Sequence, residues 1–224
     1  MASTIKHIDS IHVLHELAGA SPPNHPLFSI WKLEDLPKIT QANFPELMTY
    51  GFYSSGLKKN LKGYVKYGRT AYDFQEGALG FKSPLQLLSF NPEIVAHATG
   101  WILFFHKDFI AGTKLAERIQ GYNFFGYETN EGLHLSKTEE DVINTIYENI
   151  YMEYRRPIDK HSKQVMLSNL ELLLTYAQRY YSRQFILRNE SDSSALQGFE
   201  KVLNAFFEDR PPEINGLPTV EYFA

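Results

Sequence analysis

Histidine is the first residue type to weigh here, because it supplies both acid–base chemistry and metal ligation near neutral pH. The chain carries eight histidines and no cysteine. Without cysteine there is no disulfide, no thiolate nucleophile and no cysteine-ligated zinc site. His12 and His15 stand three apart, with His7 nearby, and could share a helical face. No third ligand accompanies them, so a solvated face is the reading they support. His97, His106 and His134 are well separated, and no two histidines stand one residue apart. The set therefore predicts no metal and no other cofactor. Ser54 and Ser55 lie between Gly51 and Gly56, but the pattern is not a nucleophile elbow, and these glycines more simply permit a bend in a strand. No phosphate loop and no dinucleotide fingerprint is present. Asp73, Glu76 and Glu93 are scattered near turns and read as solvated carboxylates. Nothing here predicts catalysis.

Binding is the chemistry that remains. Trp31, Tyr53, Tyr64, Tyr72, Trp101 and Phe105 fall in predicted strands and could line a small-molecule pocket, which is typically apolar with a few polar groups. The competing reading is a filled core, common in small barrels. Lys66 and Arg69 lie on or beside these strands and could anchor an anion, although solvated side chains explain them as well. Arg179, Arg183 and Arg188 stand near the C-terminal end of a predicted helix, where the helix dipole favours cations. The Arg155-Arg156 pair reads the same way. A net charge of −4 and a pI of about 6.1 give no bulk signal for nucleic-acid binding.

The elements that must position these residues change character twice along the chain. Ile5, Ile8, Ile11, Leu14 and Leu17 step along one helical face, and Gly19 offers a stop. The run SPPNHP at 21–26 ends that helix. From Leu27 the period becomes two. Segments 27–33, 50–57, 63–67, 70–74, 78–82, 85–89 and 99–106 read as strands, separated mostly by turn residues such as Gly68, Gly77, Pro84 and Pro92. Short strands with no helix between them predict an antiparallel sandwich or barrel. Segment 99–106 is apolar on both faces, which makes it a central strand. Segment 107–120 reads as a helix burying Phe109, Ile110, Leu115 and Ile119, 122–127 as a strand candidate, and 132–135 as the strand completing the sheet.

At Ser136 the period returns to helical. Ser136 and Glu139 match a capping box, with Thr138 as a rival N-cap. Val142, Ile143, Ile146, Tyr147, Ile150, Tyr151 and Tyr154 keep helical spacing up to Pro157. The stretch 165–188 follows with no Gly or Pro. In it Met166, Leu170, Leu173, Ala177 and Tyr180 recur at alternating steps of four and three, the spacing of a coiled-coil seam. Leu167, Leu174, Tyr181 and Phe185 form a second stripe. Two stripes need two covers. One cover is the chain's own domain, and the other is either a second copy, giving a homodimer, or more of the same core. A third helix is predicted over 194–207. The last nine residues, GLPTVEYFA, open a further helix without a stop signal, so the sequence reads as cut from a longer chain. No run nears the roughly 20 apolar residues that span a bilayer, and no signal peptide is visible, so a cytoplasmic protein without membrane contact is expected.

Five segments, in this order, are similar to the sensor half of AraC-type transcription regulators, especially a branch common in Bacteroidetes. They are 9–27, from Asp9-Ser10-Ile11 to His25-Pro26-Leu27; 100–106, GWILFFH; 112–116, GTKLA; 133–136, LHLS; and 180–185, YYSRQF. The most specific match is 216–224, which resembles the opening of that family's first DNA-binding helix. The resemblance implies an α+β chain with an antiparallel cupin-like barrel or sandwich followed by a helical hairpin and a third helix. It implies an effector-binding barrel with an N-terminal helix over 1–136, a helical dimerisation region over 137–210, and a linker with the first residues of a truncated helix-turn-helix domain over 211–224. It also implies a homodimer, an unknown small-molecule effector, and DNA contact through the missing C-terminal domain. The sugar contacts of the arabinose-sensing member do not map onto this barrel, so the ligand class stays open. The rival expectations are a metal-independent cupin-fold enzyme, isomerase-like or oxygenase-like, and a dimerisation module with no ligand.

Overall fold

Strand Thr99–Phe105, apolar on both sides as its sequence requires, is hydrogen-bonded along both edges within the largest sheet. The computed structural model describes residues 5–37, 44–60, 65–67, 70–72, 78–89, 97–125 and 132–186, with the backbone alone at 65–67, 70–72, 185 and 186. The strands are β1 Lys6–Ile8, β2 Phe28–Lys32, β3 Leu47–Tyr50, β4 Tyr53–Lys59, β5 Val65–Tyr67, β6 Thr70–Tyr72, β7 Ala78–Lys82, β8 Leu88–Ser89, β9 Thr99–Phe105 and β10 Leu133–His134. The helices are α1 Ile11–Ala18, α2 Lys107–Ile110, α3 Lys114–Arg118, α4 Lys137–Tyr154 and α5 Ser162–Ile186. A five-stranded antiparallel sheet runs in the order β10-β7-β4-β9-β2. A three-stranded sheet runs β1-β3-β8, with β1 parallel to β3, and β5 pairs with β6. The chain is thus α+β and rich in antiparallel strands, and no sheet closes on itself among the described residues.

Two cores flank the five-stranded sheet. The larger joins one face of the sheet to α2 through α5, and the smaller joins the other face to α1, β1 and β3. Met1–Tyr181 is one compact unit and Ser182–Ala224 another. The five-stranded sheet, α4 and α5 up to Tyr181 belong to the first unit. Among the described residues no helix is long and apolar enough to cross a membrane.

Local chemistry explains where elements start and stop. Ser10 caps α1 by accepting from the His12 N–H, and Gly19 ends it in the left-handed region at φ 64°. Ser136 and Glu139 form the reciprocal capping box of α4, so Ser136 rather than Thr138 is its N-cap. Gly100 sits at φ 111°, and a β-carbon there would lie 2.2 Å from the Leu57 carbonyl oxygen, so only glycine keeps β9 against β4.

Several expected elements differ. Ile5 and Ile8 do not extend the first helix: the Ser10 cap stands after them, and 6–8 pairs in parallel with β3. Segment 50–57 divides at Gly51 and Phe52 into β3 and β4, because the Gly51 backbone packs against Asp9, where a β-carbon would come within 3.3 Å. Segment 107–120 breaks at Gly112, φ 75°, into α2, α3 and a 3₁₀ turn, with Phe109, Ile110, Leu115 and Ile119 buried as expected. Residues 123–125 form a 3₁₀ turn in place of a strand, which buries Phe124 and Phe125 together where a strand would turn them apart. Only 88–89 of the segment 85–89 is extended, Leu85 having positive φ. The helix expected over 194–207 and the segment 211–224 lie outside the described residues.

Candidate functional site

Successive side chains on a strand point to opposite faces, so parity sorts the sheet into two surfaces. On the helix-covered surface stand Tyr53, Ser55, Leu57 and Lys59 of β4, Leu79 and Phe81 of β7, Trp101, Leu103 and Phe105 of β9, and Phe28 and Ile30 of β2. Its polar groups find partners on α4. Ser55 Oγ and the Tyr147 hydroxyl are 2.6 Å apart, and Trp101 Nε1 donates to Asn144 Oδ1 at 2.8 Å. Lys59 Nζ meets Glu140 Oε1 at 2.6 Å, and Lys137 reaches the same oxygen at 3.0 Å. Burial alone would raise the Glu140 carboxyl, but hydrogen bonds from Lys59 and Lys137 outweigh it and hold it below the usual carboxylate value.

The opposite surface is different in kind. The register sets Gly80, Gly56, Ile102 and Trp31 side by side in one row. The next row holds Lys82, Ser54, Phe104 and Ser29, and the row on the other side holds Ala78, Lys58 and Gly100. Gly56 and Gly80 leave the middle row without side chains. Lys58 folds back over it, its Cε 3.3 Å from where a Gly56 β-carbon would stand. At Gly80 a β-carbon would meet nothing within 4 Å among the described residues. Gly80, Lys58 and Lys82 are half-buried, while Gly56 and Ser54 beneath them are buried. Burial lowers the Lys58 ammonium, and burial together with the neighbouring Lys58 charge lowers Lys82 to about 8. Among the described residues Lys58 makes no ion pair or hydrogen bond, in contrast to Lys59 one position on.

Trp31 is held at the end of the glycine row by a buried network. Its Nε1 donates to His15 Nε2 at 3.2 Å, and Ser29 Oγ lies 2.7 Å from the same nitrogen. His15 Nδ1 faces the Ser21 carbonyl. A carbonyl cannot donate, so the proton sits on Nδ1 and Nε2 accepts. Desolvation lowers the His15 pKa, outweighing the Ser21 bond, and keeps the ring neutral. His15 therefore leaves the solvated face expected of it, while His12 stays exposed beside Glu16. Among the described residues no group of three or more His, Asp or Glu side chains is placed to hold a metal ion.

The six residues expected to line one interior do not share a surface. Tyr53, Trp101 and Phe105 face the helices, where Tyr53 stacks on Phe105 and Trp101 lies parallel to Tyr147. Trp31 faces the other way. The side chains of Tyr64 and Tyr72 lie outside the described residues, as do Arg69 and the side chain of Lys66. The correction follows from strand parity: Trp101 and Phe105 differ by an odd step from Ile102 and Phe104, which share the surface of Trp31.

The seam residues Met166, Leu170, Leu173, Ala177 and Tyr180 are all buried within one chain, at 2, 0, 0, 0 and 6% exposure, and Leu167 and Leu174 of the second stripe are buried with them. Their cover includes α4 and the 107–125 segment: Lys163 lies over Phe109, Glu171 reaches Arg118, and Tyr181 meets Phe124. The seam and the described part of the second stripe thus find their cover in the chain itself, the side chain of Phe185 lying outside the described residues. Among the described residues the large apolar side chains that α4 and α5 leave in water are Met152, Val165 and Leu172. Met152 and Val165 line a shallow groove with Asn149, Glu153, Arg156 and Asn169.

Lys58 and Lys82 were not among the residues singled out from sequence. The available signal was their parity with Gly56 and Gly80 on paired strands. It becomes readable only once both faces of the sheet are known to be covered. No family model matches the chain, and no curated protein resembles it closely enough to identify it.

Proposed function

We propose that this chain is the effector-sensing and dimerisation part of a bacterial AraC-type transcription regulator, without catalytic activity of its own. The observation that carries the reading is the inequality of the two sheet surfaces. One is packed against helices with its polar groups paired. The other holds a side-chain-free glycine row bounded by Lys58, Lys82, Ser54 and Trp31. A structural module needs only the first kind of surface. A sensor needs the second, where a ligand could meet Lys58, which has no ion pair or hydrogen bond among the described residues.

In this reading the five-stranded and three-stranded sheets are walls of a cupin-like barrel, and α4 and α5 are the helical hairpin. A homodimer would use the outer face of that hairpin, around Val165 and Leu172, since the seam residues are occupied. In this reading DNA would be bound by a domain that follows the segment 216–224, and the protein would act in the cytoplasm. The test is selection of genomic DNA fragments by the protein translated from its whole natural reading frame, beside the 224-residue chain. Sequence-selective recovery by the whole protein and none by the chain supports the reading. Recovery by neither, or by the chain alone, contradicts it.

A further inference from the structure

We propose that the surface over Gly56 and Gly80 binds a small organic anion, a carboxylate or phosphate ester, with Lys58 as its charge partner. This rests on the sensing role proposed above and deepens it by naming the chemical class of the effector.

The argument starts from the contrast between adjacent lysines. Lys59 points to the helices and is neutralised by Glu140. Lys58 points to the other surface, half-buried, with no ion pair or hydrogen bond among the described residues. An ammonium drawn partly out of water without an anion is costly, and a protein that keeps one in place ordinarily supplies a counter-charge. Among the described residues Lys58 has none, and Lys82 stands on the paired strand of the same surface. Both ammonium groups are pushed toward the neutral form by burial, and Lys82 also by Lys58. A bound anion would reverse both effects. The space for it lies beside Lys58 over Gly80, where a β-carbon would meet nothing within 4 Å among the described residues. Ser54 Oγ stands in the same row as Lys82 and can donate one further hydrogen bond. Ile102 and Trp31, in the glycine row, offer apolar surface to the body of the ligand. The arrangement suits an acid head with a small carbon frame better than a neutral sugar, which would leave Lys58 uncompensated.

Isothermal titration of the 224-residue chain with inorganic phosphate, succinate and the neutral succinamide tests this at constant ionic strength. The expected result is binding of phosphate or succinate and none of succinamide. Succinate alone would identify a carboxylate site and phosphate alone a phosphate site. Lys58→Met should weaken the bound anion by about tenfold or more, the loss expected for one charge-assisted hydrogen bond. Gly80→Leu should block binding sterically. A β-carbon there meets nothing within 4 Å among the described residues, and circular dichroism would verify that each variant is folded. Lys137→Met, a fully exposed lysine on the helix side, should bind like the wild type. Binding of none of the three probes, or equal binding by Lys58→Met and the wild type, overturns the proposal. Anion binding by a protein whose whole reading frame selects no DNA would leave this site standing and remove the regulator reading. DNA selection with no anion bound would do the reverse.

Discussion

The Tyr147 hydroxyl and Ser55 Oγ, 92 positions apart in sequence, lie 2.6 Å from each other in the packed interface between α4 and β4. Tyr147 is fully buried, Ser55 is 1% exposed, and desolvation raises the tyrosine pKa far above its ordinary value despite the serine bond. Each side chain is thus the other's hydrogen-bond partner in a place water does not reach. Ser55→Ala should destabilise the fold by about 1–3 kcal/mol, the cost of stranding a buried hydroxyl. Ser55→Ala combined with Tyr147→Phe should cost less than the sum of the two single changes. Urea unfolding of the four proteins measures this. Strict additivity would show that the bond does not form.

Lys59 and Glu140 tie the same strand to the same helix nearer its start. Glu140 has a folded-state pKa below that of the unfolded chain. Its contribution is therefore present above the unfolded value, near 4.5, and is lost as pH falls through the folded value. Glu140→Gln should cost about 1–2 kcal/mol at neutral pH, and the difference from wild type should shrink as pH falls below that value. Unfolding midpoints from pH 7 to pH 3 give the profile. A difference that is constant with pH would contradict the ion pair.

His15 should remain neutral and protonated on Nδ1 in the folded protein, because its Nδ1–H donates to the Ser21 carbonyl while Trp31 donates to Nε2. Its pKa is lowered from 6.5, chiefly by desolvation. The unfolded chain then takes up a proton at a pH where the folded chain does not, so stability falls as pH drops below 6.5 toward the folded value. Nitrogen chemical shifts of His15 across pH 5 to 8 report both tautomer and titration. Titration at or above 6.5 would contradict the network.

Much of this fold is legible in the residues. The strand at 78–82 and the Ser136 capping box are local signals that the structure keeps. The misreadings arise where tertiary contacts override local pattern. Lys6 to Ile8 pairs with β3, Gly112 breaks an apolar run that looks continuous, and Phe124 and Phe125 bury together in a tight turn. The candidate site was less legible. Trp31 was found because aromatics are conspicuous, whereas Lys58 looks like any strand-end lysine until its face is known. The seam of α5 misled for a related reason: spacing reveals an apolar stripe but not which surface covers it.

That difference has a direct consequence for mutation of α5. Leu173 is fully buried, so Leu173→Asp should unfold the protein, with a loss of several kcal/mol from burying an unpaired charge. It would not yield folded monomers. Leu172, 44% exposed, is the informative position. If copies pair through the outer face of the helices, Leu172→Asp should remain folded and become monomeric. Light scattering with circular dichroism as the folding control decides it. A folded Leu172→Asp variant that stays dimeric would move the interface elsewhere.

The central claim is that this chain senses a small molecule on behalf of a DNA-reading domain. Its most direct test is the affinity of the whole protein for a selected DNA site, measured by fluorescence anisotropy with and without the anion that the isolated chain binds. The account predicts a change of about five- to 150-fold in either direction, the usual span of coupling between two sites, and no change in Lys58→Met. An affinity for DNA that is the same with and without saturating ligand would contradict it.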